Sequence, residues 1–157
     1  QVRPSFIRVE ADEVTYCLHI FIRYQLEKKL LSGAISCEDL PHEWNRLYKE
    51  YLGITPKNNT QGCLQDIHWA TGDFGYFPSY ALGHLISSQF TDSLENQLGP
   101  LDKLINEKGF NEVLSWLRVN IHEKGSQEDP LTLVEKVCGQ SLSVKPFINY
   151  LLKKYLL

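Results

Sequence analysis

Hydrophobic residues recur every three or four positions along most of the chain, which is the spacing of one face of an α-helix. The clearest case is the segment DLPHEWNRLYKEY, where Trp44, Leu47, Tyr48 and Tyr51 share one face and predict a helix over 39–51. A longer segment predicts a helix over 9–31 that ends before Gly33. Its middle, YCLHIFIRY, is apolar nearly all round, so this helix should be buried on more than one side.

The second half of the chain shows the same pattern. It predicts helices over 78–98, 101–107, 110–122, 130–138 and 144–156, with Gly109, Gly125 and Gly139 just past helix ends. No run of β-branched residues alternates with period two, so no sheet is expected. The sequence therefore predicts an all-α helical bundle that forms a single domain over 1–157.

Composition and charge exclude several classes of protein. The 157 residues are 43% hydrophobic and 22% charged, as in a soluble globular protein, and the formal net charge is −3. This charge gives no basic surface for nucleic acid. No apolar run approaches the roughly 20 residues of a membrane span. We therefore expect neither a nucleic acid nor a membrane as partner.

The four cysteines are Cys17, Cys37, Cys63 and Cys138, and none belongs to a CxxC pair. A disulfide-rich secreted domain would be smaller and richer in cysteine, and zinc sites built from cysteine need paired ligand spacing. This pattern predicts four free thiols in a reducing compartment. The chain also contains no Met and begins at Gln1, which favours a piece of a longer polypeptide.

The segment IRVEAD, residues 7–12, places an arginine and an acid immediately before the most apolar predicted helix. Arg8 and Asp12 are four residues apart, so on a helix they would lie on one face and could form an ion pair. On a surface such a pair contributes little. A buried guanidinium held by an acid could instead bind a substrate carboxylate through two N–H groups.

The segment GCLQDIHWATGDFGYFPSY, residues 62–80, is too rich in glycine and aromatic residues for a regular helix. Gln65, Asp66, His68 and Trp69 could lie on a short helical turn in which Asp66 or Gln65 orients His68. Gly72 and Gly75 permit backbone angles that other residues resist. Tyr76 or Tyr80 could then donate a hydrogen bond to a developing oxyanion. The alternative is an aromatic packing corner with no chemistry.

Motifs that would complete a catalytic centre are missing from the chain. His42-Glu43 and His122-Glu123 are not followed by a second histidine at the spacing of HExxH. There is also no glycine-rich phosphate loop and no nucleophile elbow.

Two segments resemble signature motifs of the M32 metallocarboxypeptidases, the thermostable carboxypeptidase family. IRVEAD matches I-[RA]-x-x-A-D, and GCLQDIHW matches G-x-x-Q-D-x-H-W, at every fixed position. The resemblance extends over essentially the whole chain, through FGYFPSYALG to PFINYLLKKY. It implies the C-terminal part of a nearly all-helical, two-lobed, zincin-like metallopeptidase. The chain would form part of one lobe and one wall of the substrate groove.

The resemblance also implies a cytoplasmic enzyme that releases single residues from peptide C-termini with broad specificity. The zinc ligands and the catalytic glutamate of the family lie in motifs upstream of this chain, so the chain binds no metal itself and would be inactive alone. Its partners would be the N-terminal portion of the same polypeptide, peptides with a free C-terminus, and a second copy in a homodimer.

From this resemblance and the chemistry of the side chains we expect two groups of site residues. The first, which binds substrate, comprises Arg8, Asp12, Gln65, Asp66, His68 and Trp69. The second, which acts in catalysis, comprises His68, Tyr76 and Tyr80. Within these groups Arg8 would hold the terminal carboxylate, Asp66 would set the tautomer of His68, and Tyr76 or Tyr80 would stabilise the oxyanion.

The sequence leaves two alternatives open. The chain could be a helical protein-binding or scaffold module without activity, which also accounts for the missing zinc motif. It could also belong to a divergent pseudoenzyme, which metal content and peptide hydrolysis would distinguish from an active one.

Overall fold

The computed structural model describes residues 1–156, which form eight α-helices and two short 3-10 turns. The helices are α1 (Tyr16–Leu31), α2 (Leu40–Leu52), α3 (His68–Thr71), α4 (Phe77–Leu98), α5 (Leu101–Lys108), α6 (Asn111–Asn120), α7 (Pro130–Cys138) and α8 (Lys145–Tyr155). The 3-10 turns are Arg8–Glu10 and His122–Lys124. No strand occurs in this part of the chain, so the all-α prediction is confirmed.

Most helix ends agree with the sequence pattern to within two residues. Pro78 is the second residue of α4, where its missing N–H leaves no hydrogen bond unmade. Gly53 follows α2 with φ of 71° and closes it in the left-handed conformation. Glycines follow α5, the second 3-10 turn and α7 as predicted.

The predicted start of the first helix is wrong. Instead of a helix from residue 9, the chain makes the 3-10 turn Arg8–Glu10, and α1 begins only at Tyr16. The Asp12 carboxylate accepts the backbone N–H groups of Val14 and Thr15 at 3.0 and 2.9 Å. An aspartate that accepts the N–H groups two and three residues further on acts as a helix N-cap, so helical hydrogen bonding begins only after it. The acidic residues at positions 10, 12 and 13 therefore precede α1.

Two expectations from composition can be compared directly with the structure. All four cysteines are free thiols, as predicted. Among the described helices, none combines the length and the apolar character that crossing a bilayer requires.

The chain divides into two compact units, Gln1–Ala81 and the residues from Leu82 onward. In the first unit, α1 packs against α2 around a core formed by Ile22, Leu26, Trp44, Leu47, Tyr48, Leu52 and Cys63. The side chains predicted to share one face of α2 therefore do face a core. The second unit has its own core around Leu94, Leu104 and Trp116.

Helix α1 carries a row of buried polar side chains that the apolar appearance of its sequence hides. Thr15, the residue just before α1, is followed at intervals of four residues by His19, Arg23 and Glu27, and none of the four is more than 4% exposed. Residues four apart lie on one face of a helix. We call these four residues the polar row of α1.

His19 lies at the centre of the polar row and is fully buried. Its Nδ1 is 3.0 Å from the Tyr48 hydroxyl. Burial, followed by the positive charges of Arg23 and Arg8, lowers the pKa of His19 to about 4. The imidazole is therefore neutral at physiological pH, since protonation would place a third cation in a dry site.

The lowered pKa predicts that His19 makes folding stability depend on pH. Between about pH 4 and pH 6.5 the unfolded chain binds a proton at this residue and the folded chain does not, so stability falls as the pH falls through this range. His19→Gln should remove up to about 3 kcal/mol of that loss. Urea denaturation of both proteins from pH 4 to pH 8 measures the difference.

His42→Gln provides the matched control, because His42 is exposed on the surface of α2. Its substitution should leave the pH dependence as in the parent. Equal pH slopes for His19→Gln and the parent would contradict the prediction.

Candidate functional site

A single carboxylate, Asp66, lies between two arginines in the first unit. Its Oδ1 accepts hydrogen bonds from Nε and Nη2 of Arg8 at 3.0 and 2.8 Å. Its Oδ2 accepts one from Nε of Arg23 at 2.5 Å. The side chains of Arg8, Arg23 and Asp66 are 8%, 0% and 11% exposed, respectively. Each carboxylate oxygen thus holds one guanidinium in a largely dry environment.

The pKa shifts of Asp66 and Arg8 both favour the charged forms of these two side chains. Burial alone would raise the pKa of the Asp66 carboxyl, but the charges and hydrogen bonds of Arg23 and Arg8 lower it below its ordinary value. Burial alone would lower the pKa of Arg8, but hydrogen bonding and charge attraction from Asp66 raise it. Two positive charges therefore share one negative charge.

Gln65 fixes the backbone around Arg8. Its Oε1 accepts the Arg8 backbone N–H at 2.9 Å and Nη2 of Arg23 at 2.8 Å. Its Nε2 donates to the carbonyl oxygens of Phe6 and Gln61 at 2.9 and 2.8 Å. An amide bonded on both sides in this way resists rotation, so Gln65 holds the segment that carries Arg8 against the loop that carries Asp66.

His68 is the first residue of α3, and its ring lies beside the Asp66 carboxylate. Nε2 is 3.0 Å from the Tyr80 hydroxyl. Nδ1 is 3.8 Å from Asp66 Oδ1, which is too long for a hydrogen bond. Within the described residues this buried nitrogen has no other partner. Tyr80, and not Asp66, is therefore the direct partner of His68.

The charge of Asp66 nevertheless favours one tautomer of His68. A lone pair on Nδ1 would face the carboxylate and be repelled, whereas a proton on Nδ1 would be attracted. With the proton on Nδ1, Nε2 is the acceptor and the Tyr80 hydroxyl donates to it. Tyr80 is then committed to orienting the imidazole.

Aromatic rings surround these charged groups. The Arg8 guanidinium lies 5.0 Å from the centre of the Tyr80 ring and 5.9 Å from that of Phe77. His68 stacks with Tyr76 at 5.9 Å and packs against Phe77 at 4.5 Å between ring centroids. Tyr76 is 52% exposed, and within residues 1–156 its hydroxyl forms no hydrogen bond. It is thus the exposed phenol beside the imidazole.

The glycine-bent loop between α3 and α4 is held by a buried carboxylate. Gly72 and Gly75 have φ of 84° and 78°, positive angles that residues other than glycine resist. Glu27 Oε1 accepts the Gly75 backbone N–H at 2.9 Å and the Trp69 indole N–H at 3.0 Å. This contact places Tyr76 next to His68.

The structure brings most of the predicted site residues together. Arg8, Gln65, Asp66, His68, Tyr76 and Tyr80 form one connected group. The predicted pair between Arg8 and Asp12 is wrong, because the turn before α1 directs Asp12 to the backbone N–H groups of Arg3, Val14 and Thr15. Trp69 packs edge-on against Trp44 and belongs to the core of the first unit.

Several residues of the site were missed from the sequence. Arg23 and Glu27 of the polar row hold Asp66 and Gly75, and Tyr48 donates to the Phe6 carbonyl. Tyr16 accepts Nη1 of Arg8 at 3.0 Å. The four-residue spacing of His19, Arg23 and Glu27 could have identified the polar row, since polar residues so spaced share a face of an otherwise apolar helix.

Among residues 1–156, no group of three or more His, Cys, Asp or Glu side chains has the arrangement needed to hold a metal ion. The Asp66 carboxylate is instead shared by two guanidinium groups, and the surplus positive charge suits the binding of an anion.

Comparison with known sequences gives a consistent result. The family described as "Carboxypeptidase Taq (M32) metallopeptidase" matches residues 1–155. Thermostable carboxypeptidase 1 of Thermus thermophilus is 50% identical over 154 residues, which is 98% of this chain and 30% of the relative. Carboxypeptidase 1 of Bacillus subtilis is 48% identical over 153 residues, again 98% of this chain and 30% of the relative.

Comparison with solved structures agrees with the sequence matches. A structure of Pyrococcus furiosus carboxypeptidase superimposes with a TM-score of 0.95 at 40% identity, over 99% of this chain and 31% of the other. The chain thus spans about 30% of the length of the curated relatives that it matches. From the extent of these matches, the chain belongs to the M32 family of metallopeptidases, the carboxypeptidase Taq family.

Proposed function

We propose that this chain is the C-terminal portion of a longer, metal-dependent carboxypeptidase that releases single amino acids from peptide C-termini with broad specificity. The relatives named carboxypeptidase, and the 30% of their length that the chain spans, support this proposal. The observation that carries it is the group formed by Arg8, Asp66, His68, Tyr76 and Tyr80. An exopeptidase must recognise a free terminal carboxylate, and the surplus positive charge of this group suits that role.

Arg8 would hold the substrate carboxylate. A guanidinium has five N–H donors, and Arg8 uses three of them, two on Asp66 and one on Tyr16. Within residues 1–156 one N–H on each terminal nitrogen has no partner. Two neighbouring donors of this kind match the two oxygens of a carboxylate. Asp66 fixes the orientation of the Arg8 guanidinium and leaves these two N–H donors available to a substrate.

His68 and the two tyrosines would act on the peptide bond. Because the Asp66 charge favours a proton on Nδ1 of His68, Tyr80 donates to Nε2 and orients the ring. The Tyr76 hydroxyl is then free to donate to the oxyanion that forms when the scissile carbonyl is attacked. His68, stacked on Tyr76, would contact the substrate backbone.

The metal would be held outside this chain. The family is one of metallopeptidases, and a bound divalent ion supplies an activated water and polarises the carbonyl. We assign its ligands, zinc being the expected ion, to the N-terminal portion of the same polypeptide. In that arrangement this chain contributes one lobe and one wall of the groove. The homodimer and the cytoplasmic location stay predictions.

Replacement of Arg8 should weaken the binding of substrates with a free C-terminus. In the full-length protein Arg8→Ala should raise KM for a blocked dipeptide with a free carboxylate by about 10- to 100-fold, since a hydrogen bond to a charged group contributes about 1.5–3 kcal/mol. Steady-state kinetics measure the change.

Arg3→Ala is the matched control, because Arg3 lies five residues upstream with an exposed side chain. It should leave KM as in the parent. The C-terminally amidated dipeptide should be a poor substrate for the parent protein. Equal hydrolysis of the amidated and free substrates would contradict the role of Arg8, and no release of C-terminal residues by the full-length protein would favour a binding module.

The two tyrosines should differ in their effect on kcat. Tyr76→Phe removes the free hydroxyl and should lower kcat by about 100-fold or more with KM little changed, as loss of an oxyanion donor does. Tyr80→Phe removes the hydrogen bond to His68 but leaves the Tyr76 hydroxyl in place, so its loss in kcat should be smaller. Kinetics of both variants test the assignment, which the reverse order of effects would refute.

A further inference from the structure

The Arg8–Asp66–Arg23 group contains a surplus positive charge. Of the two carboxylate oxygens of Asp66, Oδ1 accepts from Arg8 and Oδ2 accepts from Arg23. Two other carboxylates of the first unit are directed elsewhere. Asp12 accepts backbone N–H groups, and Glu27 accepts the Trp69 indole and the Gly75 backbone N–H. Among the carboxylates of the described residues, Asp66 alone bonds both guanidinium groups.

Arg23 cannot itself reach a substrate. Its side chain is fully buried, and its donors are engaged within the fold. Nη1 bonds the His19 carbonyl oxygen at 2.9 Å, and Nη2 bonds Gln65 Oε1 at 2.8 Å. Its guanidinium also lies 4.7 Å from the centre of the Trp44 ring and 5.6 Å from that of Phe77. Any influence of Arg23 on a ligand must therefore act through its charge or through Asp66.

We propose that Arg23 is a positioning residue that makes the site electropositive: it neutralises Asp66, so that the charge of Arg8 remains available to a substrate carboxylate. Without Arg23, Arg8 and Asp66 would form a neutral pair, and an incoming carboxylate would meet Asp66 as a neighbouring like charge. This inference rests on the proposed function, and it adds a specific role for a residue that never touches substrate. Asp66 positions Arg8, and Arg23 offsets the electrostatic cost of doing so.

Three variants of the full-length protein separate the charge of Arg23 from its packing. Arg23→Gln removes the charge. Arg23→Lys keeps the charge but loses the fork that bonds Asp66 and Gln65. In the double variant Arg23→Gln/Asp66→Asn the Arg8 charge again has no counter-charge, and the amide oxygen introduced at position 66 can still accept from Arg8. KM and kcat are measured with a blocked dipeptide that has a free C-terminal carboxylate.

The charge explanation predicts a distinctive order of KM values. Arg23→Gln should raise KM about 10-fold or more, because water only partly screens the charge of a buried side chain. The kcat of Arg23→Gln should change by a smaller factor than its KM. Arg23→Lys should stay within about threefold of the parent, since one surplus charge remains. The double variant should bind substrate more tightly than Arg23→Gln alone, although it carries an additional substitution.

Two outcomes would overturn the inference. One is an equal rise in KM for Arg23→Lys and Arg23→Gln, and the other is a double variant weaker than the single one. Either result would mean that the charge of Arg23 does not set the affinity for the substrate. Should Arg23→Gln fail to fold, as judged by circular dichroism, the other two variants decide the question. Both keep one surplus charge, so a KM raised about 10-fold in both contradicts the proposal.

The same series distinguishes failure of this inference from failure of the proposed function. If the parent protein releases no C-terminal residue, the proposed function is wrong. If the parent is active and Arg8→Ala raises KM, but the Arg23 variants do not follow the predicted order, only the role of Arg23 is wrong.

Discussion

The arrangement of the first unit depends on one buried carboxylate shared by two arginines. Asp66 joins the turn before α1 to α1 itself, because one oxygen holds Arg8 and the other holds Arg23. Burial of a single arginine–aspartate pair is often no better than hydrophobic packing, since desolvation offsets the attraction. A need for a fixed guanidinium in an electropositive site would explain why three charged groups are buried here. The cost is reduced by the hydrogen bonds of Gln65, Tyr16 and the His19 carbonyl oxygen.

The polar row of α1 extends this arrangement along the helix. His19 contacts Tyr48, Arg23 contacts Asp66, and Glu27 contacts Gly75. One rigid helix thereby fixes α2, the loop before α3 and the glycine-bent loop after it. A helix positions side chains more precisely than a loop does. The loops supply the groups that face the substrate in our proposal, and the helix holds the loops in place.

The sequence predicted part of the site for reasons that can be stated residue by residue. Gln65, Asp66 and His68 lie within four positions of one another, so any compact turn brings them together. Gly72 and Gly75 were expected to adopt unusual backbone angles, and they do. The Arg8–Asp12 pair was wrong because it assumed a regular helix from residue 9. The partner that Arg8 has in the fold lies 58 positions away, and local spacing contains no information about it.

The sequence by itself determined the helical class, most helix ends and the family, because periodicity, proline and glycine act over a few residues and because the two motifs are long and specific. Tertiary structure decided which charges meet. The contacts of Arg8 with Asp66, of Arg23 with Gln65 and of Glu27 with Gly75 each close a loop of more than 40 residues. Such contacts form only when the helices pack, since the entropy lost in closing a loop is offset by the apolar burial that accompanies it. The sequence shows which side chains are available to the arginines, but the fold determines which of them form contacts.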